Sequence, residues 1–375
     1  MILADINKER LLKTFTELLK VNSPSFLEKE IGVLLQRKLR ERGCKISIQK
    51  YDKSFNLIAF KKGNLPEVQS LLLSGHMDTI EPTEGIKFSV QADRVSSTGN
   101  TVLGADDKSA LAQILEALSV LQEKNLPHGD IEIVFTSAEE KGLFGVKNLD
   151  FRRIRSRFGL VLDSGGSVGK LVVGAPSHIT YEMRILGKAA HAGIEPEKGI
   201  SAIRVAAEVI SAVPNGRINT GTTANIGIIK GGTATNVVPK EVVIHGEIRS
   251  HDDKILQNIK RDIFHTARRI AKKNKSVINI SEHEEYKSFR IDEVDCFLNF
   301  MDGVAKGCRI TPSHVITGGG SDANIFNKQA IKTINLSTGM QKVHSNEEYI
   351  LLKDLDKGSL LVLNAITEFV KFSGE

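Results

Sequence analysis

The fold is decided by a strand, a helix and a second strand, which read VQSLLLSG (residues 68–75), KSALAQILEALSVLQEK (108–124) and DIEIVFTS (130–137). The first strand has apolar residues at consecutive positions, which is typical of a strand covered on both faces. The helix carries its leucine and isoleucine side chains along one stripe. Because strand, helix, strand is the order of an α/β layer, we expect a largely parallel sheet with helices on its faces.

Segments on either side extend this layer. Strands are predicted at KISIQKY (45–51), NLIAFKK (56–62) and FGLVLDS (158–164). Two amphipathic helices precede them, and the second is predicted to begin with a capping box formed by Ser25 and Glu28. The expected fold class is therefore α/β, with a mixed, largely parallel sheet and flanking helices.

A separate pattern occupies residues 178–286. Its order of strand, helix, two strands, helix and strand (βαββαβ) is typical of a ferredoxin-like α+β unit. Residues 287–375 then return to helices and strands. We therefore predict one domain built from residues 1–177 and 287–375, with the ferredoxin-like unit inserted between these two segments.

The composition is that of an ordinary globular protein, with 41% hydrophobic and 26% charged residues among 375. No apolar run reaches the roughly 18 residues of a membrane span, and the first residues lack the order of a signal peptide. A cytoplasmic protein without a membrane partner is expected. The net charge is +6, but the densest basic run, RRIRSR (152–157), has no interleaved aromatic residues, so a nucleic-acid partner is not expected.

Histidine and carboxylate residues follow the predicted strands, at the edge where α/β sheets build their sites. The group comprises His76, Asp78, Asp106, Glu139, Glu140 and Asp163. Each of them alone is an ordinary polar residue at a strand end or a helix start. Together they supply nitrogen and oxygen donors, which suit zinc, manganese or cobalt.

The chain also carries nine ordered segments by which it resembles the M20 metallopeptidases, and most closely their peptidase T (tripeptidase) branch. The segments are SGHMDT (74–79), LGADDKSA (103–110), TSAEEKGLFG (136–145), LDSGG (162–166), GKAAHAG (187–193), GGTATNVVP (231–239), GEIRSHD (246–252), TGGGSDANIF (317–326) and KVHSNEE (342–348). They span nearly the whole chain. The resemblance implies a zinc-exopeptidase-like catalytic domain, with the insert acting as a lid and dimerisation domain.

The resemblance also implies a role for each metal-ligating position. Asp106 is similar to the carboxylate that bridges two divalent metal ions. His76 and Asp163 would complete one site, and Glu140 and His344 the other. The implied ions are zinc, with cobalt or manganese as alternatives.

Three further residues resemble the catalytic positions of the family. Glu139 is similar to the general base that takes a proton from a metal-bridging water. Asp78 is similar to the carboxylate that accepts the outer N–H of His76. His191 resembles the histidine that reaches the scissile carbonyl, often from the partner subunit of a dimer, and its alternative is an ordinary surface-loop histidine.

Four residues are similar to substrate-binding positions. Asn236 and Arg249 resemble the residues that bind the substrate's backbone and carboxylate, and a guanidinium fork suits that task. A turn asparagine and a strand-end salt bridge are their alternatives. Gly319 and Ser321 lie in a glycine-rich run that allows close backbone approach to a ligand.

The resemblance thus predicts a two-metal-dependent peptidase that hydrolyses short peptides in the manner of a tripeptide aminopeptidase. A homodimer formed through the insert is expected. Two other functions stay open. The same metal chemistry could act on another amide, as in an M20-type amidohydrolase or deacylase of N-acyl amino acids. The chain could also be a metal-binding interaction protein without catalysis, although a base that is not a ligand, Glu139, argues against that.

Overall fold

The computed structural model describes residues 5–374. The chain divides into two compact units. The first contains the residues up to Val173, residues 290–316 and the residues from Ser321 onward, whereas the second contains residues 174–289 and 317–320. The first unit is therefore discontinuous in sequence, and the glycine-rich segment 317–320 belongs to the second.

Helices and strands are numbered along the chain. The helices are α1 (Lys8–Leu19), α2 (Lys29–Glu41), α3 (Ala105–Glu123), α4 (Phe144–Lys147), α5 (Ala202–Ala212), α6 (Asp253–Lys273), α7 (Cys296–Gly307), α8 (Asp322–Lys328) and α9 (Leu352–Glu368). The strands are β1 (Lys45–Lys50), β2 (Phe55–Lys61), β3 (Leu71–His76), β4 (Phe88–Val90), β5 (Arg94–Ser97), β6 (Ile131–Thr136), β7 (Phe158–Ser164), β8 (Lys170–Ala175), β9 (Ser177–Leu186), β10 (Gly216–Asn219), β11 (Thr222–Gly231), β12 (Glu241–Ser250), β13 (Val277–Tyr286), β14 (Phe289–Arg290), β15 (Ser313–Ile316), β16 (Lys332–Ser337), β17 (Met340–Gln341) and β18 (Tyr349–Leu351).

The main sheet has the strand order β1-β2-β6-β3-β7-β16-β8-β14, with β15 paired to β8. Its centre is parallel, because β3 pairs in parallel with β6 and β7, and β7 with β16. Strands β1, β2 and β8 are antiparallel to their neighbours. The parallel centre brings the carboxyl ends of β3, β6 and β7 to one edge of the sheet.

Helix α3 is buried over most of its length, from Ala105 to Leu121. It packs against α1, α9 and β3. Leu111, Leu115 and Leu118 are fully buried, and burying such a side chain contributes roughly 1.5–3 kcal/mol. This packing fixes the start of α3 next to the end of β3. Across residues 5–374, no helix combines the length and apolar character needed to cross a membrane.

The first unit also contains a small antiparallel sheet with the order β17-β18-β5-β4. Tyr349 of β18 pairs with Ser96 of β5. The segment that follows His344 enters this sheet as β18 and there pairs with β5, which precedes α3 in the chain.

The second unit is an antiparallel sheet with the order β10-β11-β12-β9-β13. Alternate residues of β9, such as Tyr181 and Met183, form one core with Val205 of α5 and Ile263 of α6, as the two-residue period of a strand requires. The predicted βαββαβ order lacks one observed strand, β10. Its four residues, GRIN, are too few and too exposed to show an alternating pattern.

The capping box predicted for Ser25 and Glu28 is wrong. Helix α2 begins at Lys29, and the Glu28 side chain makes no cap hydrogen bond to it. The Glu28 carboxylate accepts instead from the backbone N–H of Ala138 at 2.9 Å and from the Ser54 hydroxyl at 2.7 Å. A tertiary contact has replaced the local one that the sequence suggested.

Candidate metal centre

His76 is the last residue of β3 and lies at the carboxyl edge of the parallel strands. The residue is 1% exposed. Its Nδ1 lies 2.8 Å from the carbonyl oxygen of Asp78. A carbonyl oxygen only accepts hydrogen bonds, so Nδ1 carries a proton, and Nε2 is the ring nitrogen that a metal ion would use once its own proton is displaced. This is the form in which an imidazole binds a metal ion.

Asp106 lies between two histidines. Its Oδ1 is 3.0 Å from Nε2 of His76, and its Oδ2 is 3.2 Å from Nε2 of His344. The backbone at Asp106 and Asp107, at the start of α3, is not helical, and the peptide bond that joins them is cis. The two oxygens of one carboxylate thus face two separate imidazoles, which is the geometry required of a bridging ligand.

Two more carboxylates complete the cluster. Oε1 of Glu140 lies 2.9 Å from Nε2 of His344. Oδ1 of Asp163, in β7, lies 3.7 Å from Nε2 of His76. The structure therefore brings together all five residues for which metal binding was predicted. They form two groups that share Asp106.

Asp78 connects the end of β3 to the segment that carries the glutamates. Its carboxylate accepts from the backbone N–H of Glu139 at 3.0 Å and of Glu140 at 3.3 Å, and from the Ser25 hydroxyl at 2.7 Å. The same carboxylate lies 3.5 Å from Nδ1 of His76, so the Asp78 carbonyl oxygen is the closer acceptor. Asp78 positions both His76 and the glutamate turn.

Glu139 and Glu140 lie in a 3-10 turn (Glu139–Lys141), not on the strand that was expected to deliver them. Strand β6 ends at Thr136. Successive side chains in a 3-10 turn point about 120° apart. Glu140 therefore reaches His344, while Glu139 is buried to 9% exposure beside the cluster.

The cluster is rich in buried negative charge. Burial, and then the charge of Asp163, raise the pKa of Glu139 well above its ordinary value. Burial also raises the pKa of Asp163 to about 6. A hydrogen bond to Asp106, followed by one to Glu140, raises the pKa of His344 to about 10. Carboxylates crowded in this way retain protons unless cations compensate them.

The residues present fit divalent cations. In a tetrahedral site with bonds of 2.0–2.1 Å, donor atoms lie about 3.3 Å apart. The pairs described above lie 2.9 to 3.7 Å apart, close to that spacing. Oδ1 of Asp107 is buried and has no hydrogen-bond partner among the described residues. It adds negative charge to a donor set of imidazole nitrogens and carboxylate oxygens, which suits zinc, cobalt or manganese.

In the second unit, His191 and Asn236 lie in adjoining loops and are both exposed. The backbone N–H of Ala192 donates to the carbonyl oxygen of Asn236 at 2.9 Å. Nδ1 of His191 accepts from the N–H of Gly193 at 3.2 Å. Two polar side chains predicted to touch the substrate are thus held side by side through their backbones.

Arg249, in β12, does form the salt bridge that was its alternative interpretation. Its Nε and one terminal nitrogen donate to the two oxygens of Glu247 at 3.1 Å each. The other terminal nitrogen lies 3.4 Å from the hydroxyl of Tyr286, which also accepts from the N–H of Gly320 at 3.0 Å. These contacts use three of the five N–H groups of a guanidinium. They fix its plane next to the glycine-rich segment, where Gly319 lies.

Ser321 belongs to the first unit and caps α8. Its hydroxyl accepts from the N–H of Ala323 at 3.3 Å and from Nδ2 of Asn335 at 3.1 Å. Asn335 in turn accepts from the N–H of Asp163 at 2.8 Å. The side chain of Ser321, which is 5% exposed, therefore supports Asp163, for which metal binding is predicted.

Four polar residues hold the segments that carry the predicted metal ligands, and the sequence did not predict these contacts: Ser25, Glu28, Asn335 and Glu348. Ser25 is partly buried and the other three are buried. Each forms a hydrogen bond with a segment far away in the chain. Ser25 and Glu28 matched a capping-box pattern, which predicted a local role, and Glu348 lies in KVHSNEE together with His344. Asn335 has no pattern of spacing that distinguishes it from a surface residue.

The chain and its structure are similar to several known proteins. Residues 173–275 match the family model of the M20 peptidase dimerisation domain, and residues 56–181 match that of peptidase family M28. The structure is similar to that of aminopeptidase PepT from Bacillus cereus, with a TM-score of 0.89 and 38% identity over 97% of this chain and 99% of that one. It is also similar to a tripeptidase from Staphylococcus aureus, with a TM-score of 0.93 and 34% identity over 98% of this chain and 99% of that one.

A Bacillus subtilis relative, the uncharacterized protein YqjE, is 37% identical over 98% of this chain and 100% of its own length. Likeness of this extent, over nearly the whole of each chain, defines a family. The chain belongs to the M20 family of peptidases, in the branch of PepT and the tripeptidases. The predicted family and the predicted fold class, an α/β sheet unit with an inserted antiparallel α+β unit, are both confirmed.

Proposed function

We propose that this chain is a two-metal aminopeptidase that hydrolyses short peptides, with unblocked tripeptides as its preferred substrates. The observation that carries the proposal is the position of Asp106, whose oxygens lie 3.0 and 3.2 Å from the Nε2 atoms of His76 and His344. A carboxylate placed in this way can bridge two cations. The names of the similar proteins, an aminopeptidase and a tripeptidase, support peptides as the substrate class.

In this proposal His76, Asp106 and Asp163 hold one ion, and Asp106, Glu140 and His344 hold the other. Zinc is the proposed native metal, with cobalt or manganese able to replace it. When bound, the two ions would lower the pKa of water and stabilise the negative charge that develops on the scissile carbonyl.

Glu139 is the proposed general base. It is buried beside the metal-ligating residues, and its backbone N–H is fixed by Asp78 at 3.0 Å. A carboxylate held in this position can take a proton from the attacking water and deliver it to the leaving amine. Asp78 is the proposed positioning residue, because it orients the ring of His76 and the turn that carries Glu139.

The second unit, together with Ser321 of the first, would supply the substrate contacts. We assign the substrate's carboxylate to the Arg249 fork, its backbone to Asn236 and to the glycine-rich segment at Gly319 and Ser321, and the scissile carbonyl to His191. We propose that the insert, at residues 178–286, acts as a lid and dimerisation domain within one catalytic domain formed by residues 1–177 and 287–375. The match to a dimerisation domain supports a homodimer. The proposed location is the cytoplasm.

The test is a substrate panel with purified protein loaded with zinc, cobalt or manganese. Free di- and tripeptides, N-blocked peptides and N-acyl amino acids would be compared by kcat/KM. Preference for unblocked tripeptides is the expected result. Preference for N-acyl amino acids would instead select the amidohydrolase function, and turnover that survives a chelator would contradict the two-metal mechanism.

A further inference from the structure

The two histidines of the metal centre come from segments far apart in the chain, yet both face one carboxylate. The Asp106 turn begins at Gly104, which has a φ of +78°. The His344 turn has a positive φ of 61° at the histidine itself, and His344 is 44% exposed at its side chain. Neither turn is held by regular secondary structure at the ligating residue, so some other contact must set their separation.

That contact is the side chain of Glu348. Its Oε2 accepts from the backbone N–H of Gly104 at 2.8 Å, and its Oε1 accepts from the backbone N–H of Asp106 at 3.0 Å. The residue is 1% exposed. Hydrogen bonds from backbone N–H groups to a buried carboxylate are among the stronger ones in proteins. One carboxylate therefore closes the turn that carries the bridging ligand.

The backbone of Glu348 is fixed equally well. Its carbonyl oxygen accepts from the N–H of Ser97 at 3.0 Å, and its N–H donates to the carbonyl oxygen of Ser345 at 3.2 Å. The next residue, Tyr349, starts β18 and pairs with β5. Glu348 thus connects the His344 turn, through a short stretch of chain, to both the small sheet and the Asp106 turn.

We infer that Glu348 is a positioning residue that sets the distance between the Asp106 and His344 donors. Through that distance it sets the affinity for the second ion, which is the one assigned to Asp106, Glu140 and His344. The inference rests on the proposed function, since it concerns the same ions. The chemistry needs a glutamate. Glutamine would turn one of the two acceptors into a donor that faces a backbone N–H, and aspartate is shorter by one methylene and cannot reach both groups.

The chain offers a matched control in Glu347. It lies in the same turn, is exposed, and pairs with Lys342 on the surface. Glu347→Gln removes the same charge from the same segment without touching the Asp106 turn. A difference between Glu348→Gln and Glu347→Gln therefore reports the hydrogen bonds of Glu348 and not a general loss of negative charge.

The experiment is calorimetric titration of metal-free full-length protein with Zn²⁺ and, separately, with Co²⁺. Wild type is expected to bind two ions. Glu348→Gln should weaken binding of the second ion by roughly 10- to 100-fold, the usual effect of removing a partner that orients ligands. The affinity of Glu347→Gln for this ion should stay within about twofold of wild type. Circular dichroism of each variant checks folding, and Glu348→Asp should show the same loss of affinity if Glu348→Gln does not fold.

Equal affinity in Glu348→Gln and wild type would overturn the inference but leave the proposed function standing. Wild-type protein that binds no metal would overturn both. A measurement that needs no variant completes the test: the amide protons of Gly104 and Asp106 should exchange slowly with solvent in the wild-type protein. Fast exchange at both amides would also overturn the role assigned to Glu348.

Discussion

Oδ2 of Asp106 lies 3.2 Å from Nε2 of His344, although the two residues belong to different sequence segments of the first unit. Oδ1 of the same carboxylate lies 3.0 Å from His76. The arrangement places Asp106 at the centre of the site, with one imidazole on each side.

Asp106→Ala should weaken binding of both ions, because it removes a donor that the two proposed sites share. Metal content per chain, measured by plasma mass spectrometry after dialysis, should fall from up to two ions to below about one. The surface variant Asp93→Ala, which breaks only an exposed pair with Arg94, should retain the wild-type content. Full metal content in Asp106→Ala would contradict the bridging role.

Glu139→Gln should leave the metal content unchanged but lower kcat by roughly 10² to 10⁴, the usual contribution of a positioned general base. Glu140→Gln is the comparison, because the Glu140 carboxylate contacts His344. Loss of this carboxylate should reduce metal binding instead. Steady-state kinetics on a tripeptide together with metal analysis separates the two effects. If Glu139→Gln kept wild-type turnover, another residue would have to be the base.

Arg249→Lys should weaken recognition of substrates that carry a free carboxylate. Lysine keeps the charge but lacks the planar fork that Glu247 and Tyr286 hold in place. Loss of a charge-assisted hydrogen bond of about 1.5–3 kcal/mol corresponds to roughly a 10- to 100-fold lower kcat/KM. The comparison is a tripeptide against its C-terminal amide. An equal loss for both would show that Arg249 does not bind the carboxylate.

Acid should weaken the second unit through Glu247. The imidazole of His178, 3.0 Å from the carboxylate, and then the hydrogen-bonded guanidinium of Arg249 lower the pKa of Glu247 from 4.5 to about 2. Because the pKa in the folded protein lies below the ordinary value, the contribution is present above about pH 4.5 and is lost as the pH falls toward 2. Glu247→Gln should therefore lower the melting temperature at pH 7, with a difference from wild type that shrinks by pH 3.

Differential scanning calorimetry at the two pH values measures this effect. Glu197→Gln, an exposed residue of the same unit, serves as the control and should melt like wild type at both. A Glu247→Gln difference that stayed constant between pH 7 and pH 3 would mean that the carboxylate charge contributes nothing to stability.

Local signals predicted much of the fold. The continuous apolar run of β3 and the apolar stripe of α3 are local features, and each element lies within a few residues of its predicted position. Strand β10 was not predicted, because its four mostly exposed residues show no alternating pattern. The capping box predicted at Ser25 and Glu28 was wrong, since the Glu28 carboxylate accepts from the N–H groups of Phe26 and of Ala138, 110 residues away, and does not cap α2.

The sequence by itself determined which residues could ligate a metal, because strand ends and motif positions are local properties of the chain. His76, Asp106, Glu140, Asp163 and His344 could all be named in this way. Only the tertiary structure decided that Asp106 faces both histidines, that Glu139 leaves the strand for a turn, and that Glu348 connects two distant segments. Hydrogen bonds between residues far apart in the chain leave no period in the sequence, so packing alone establishes them.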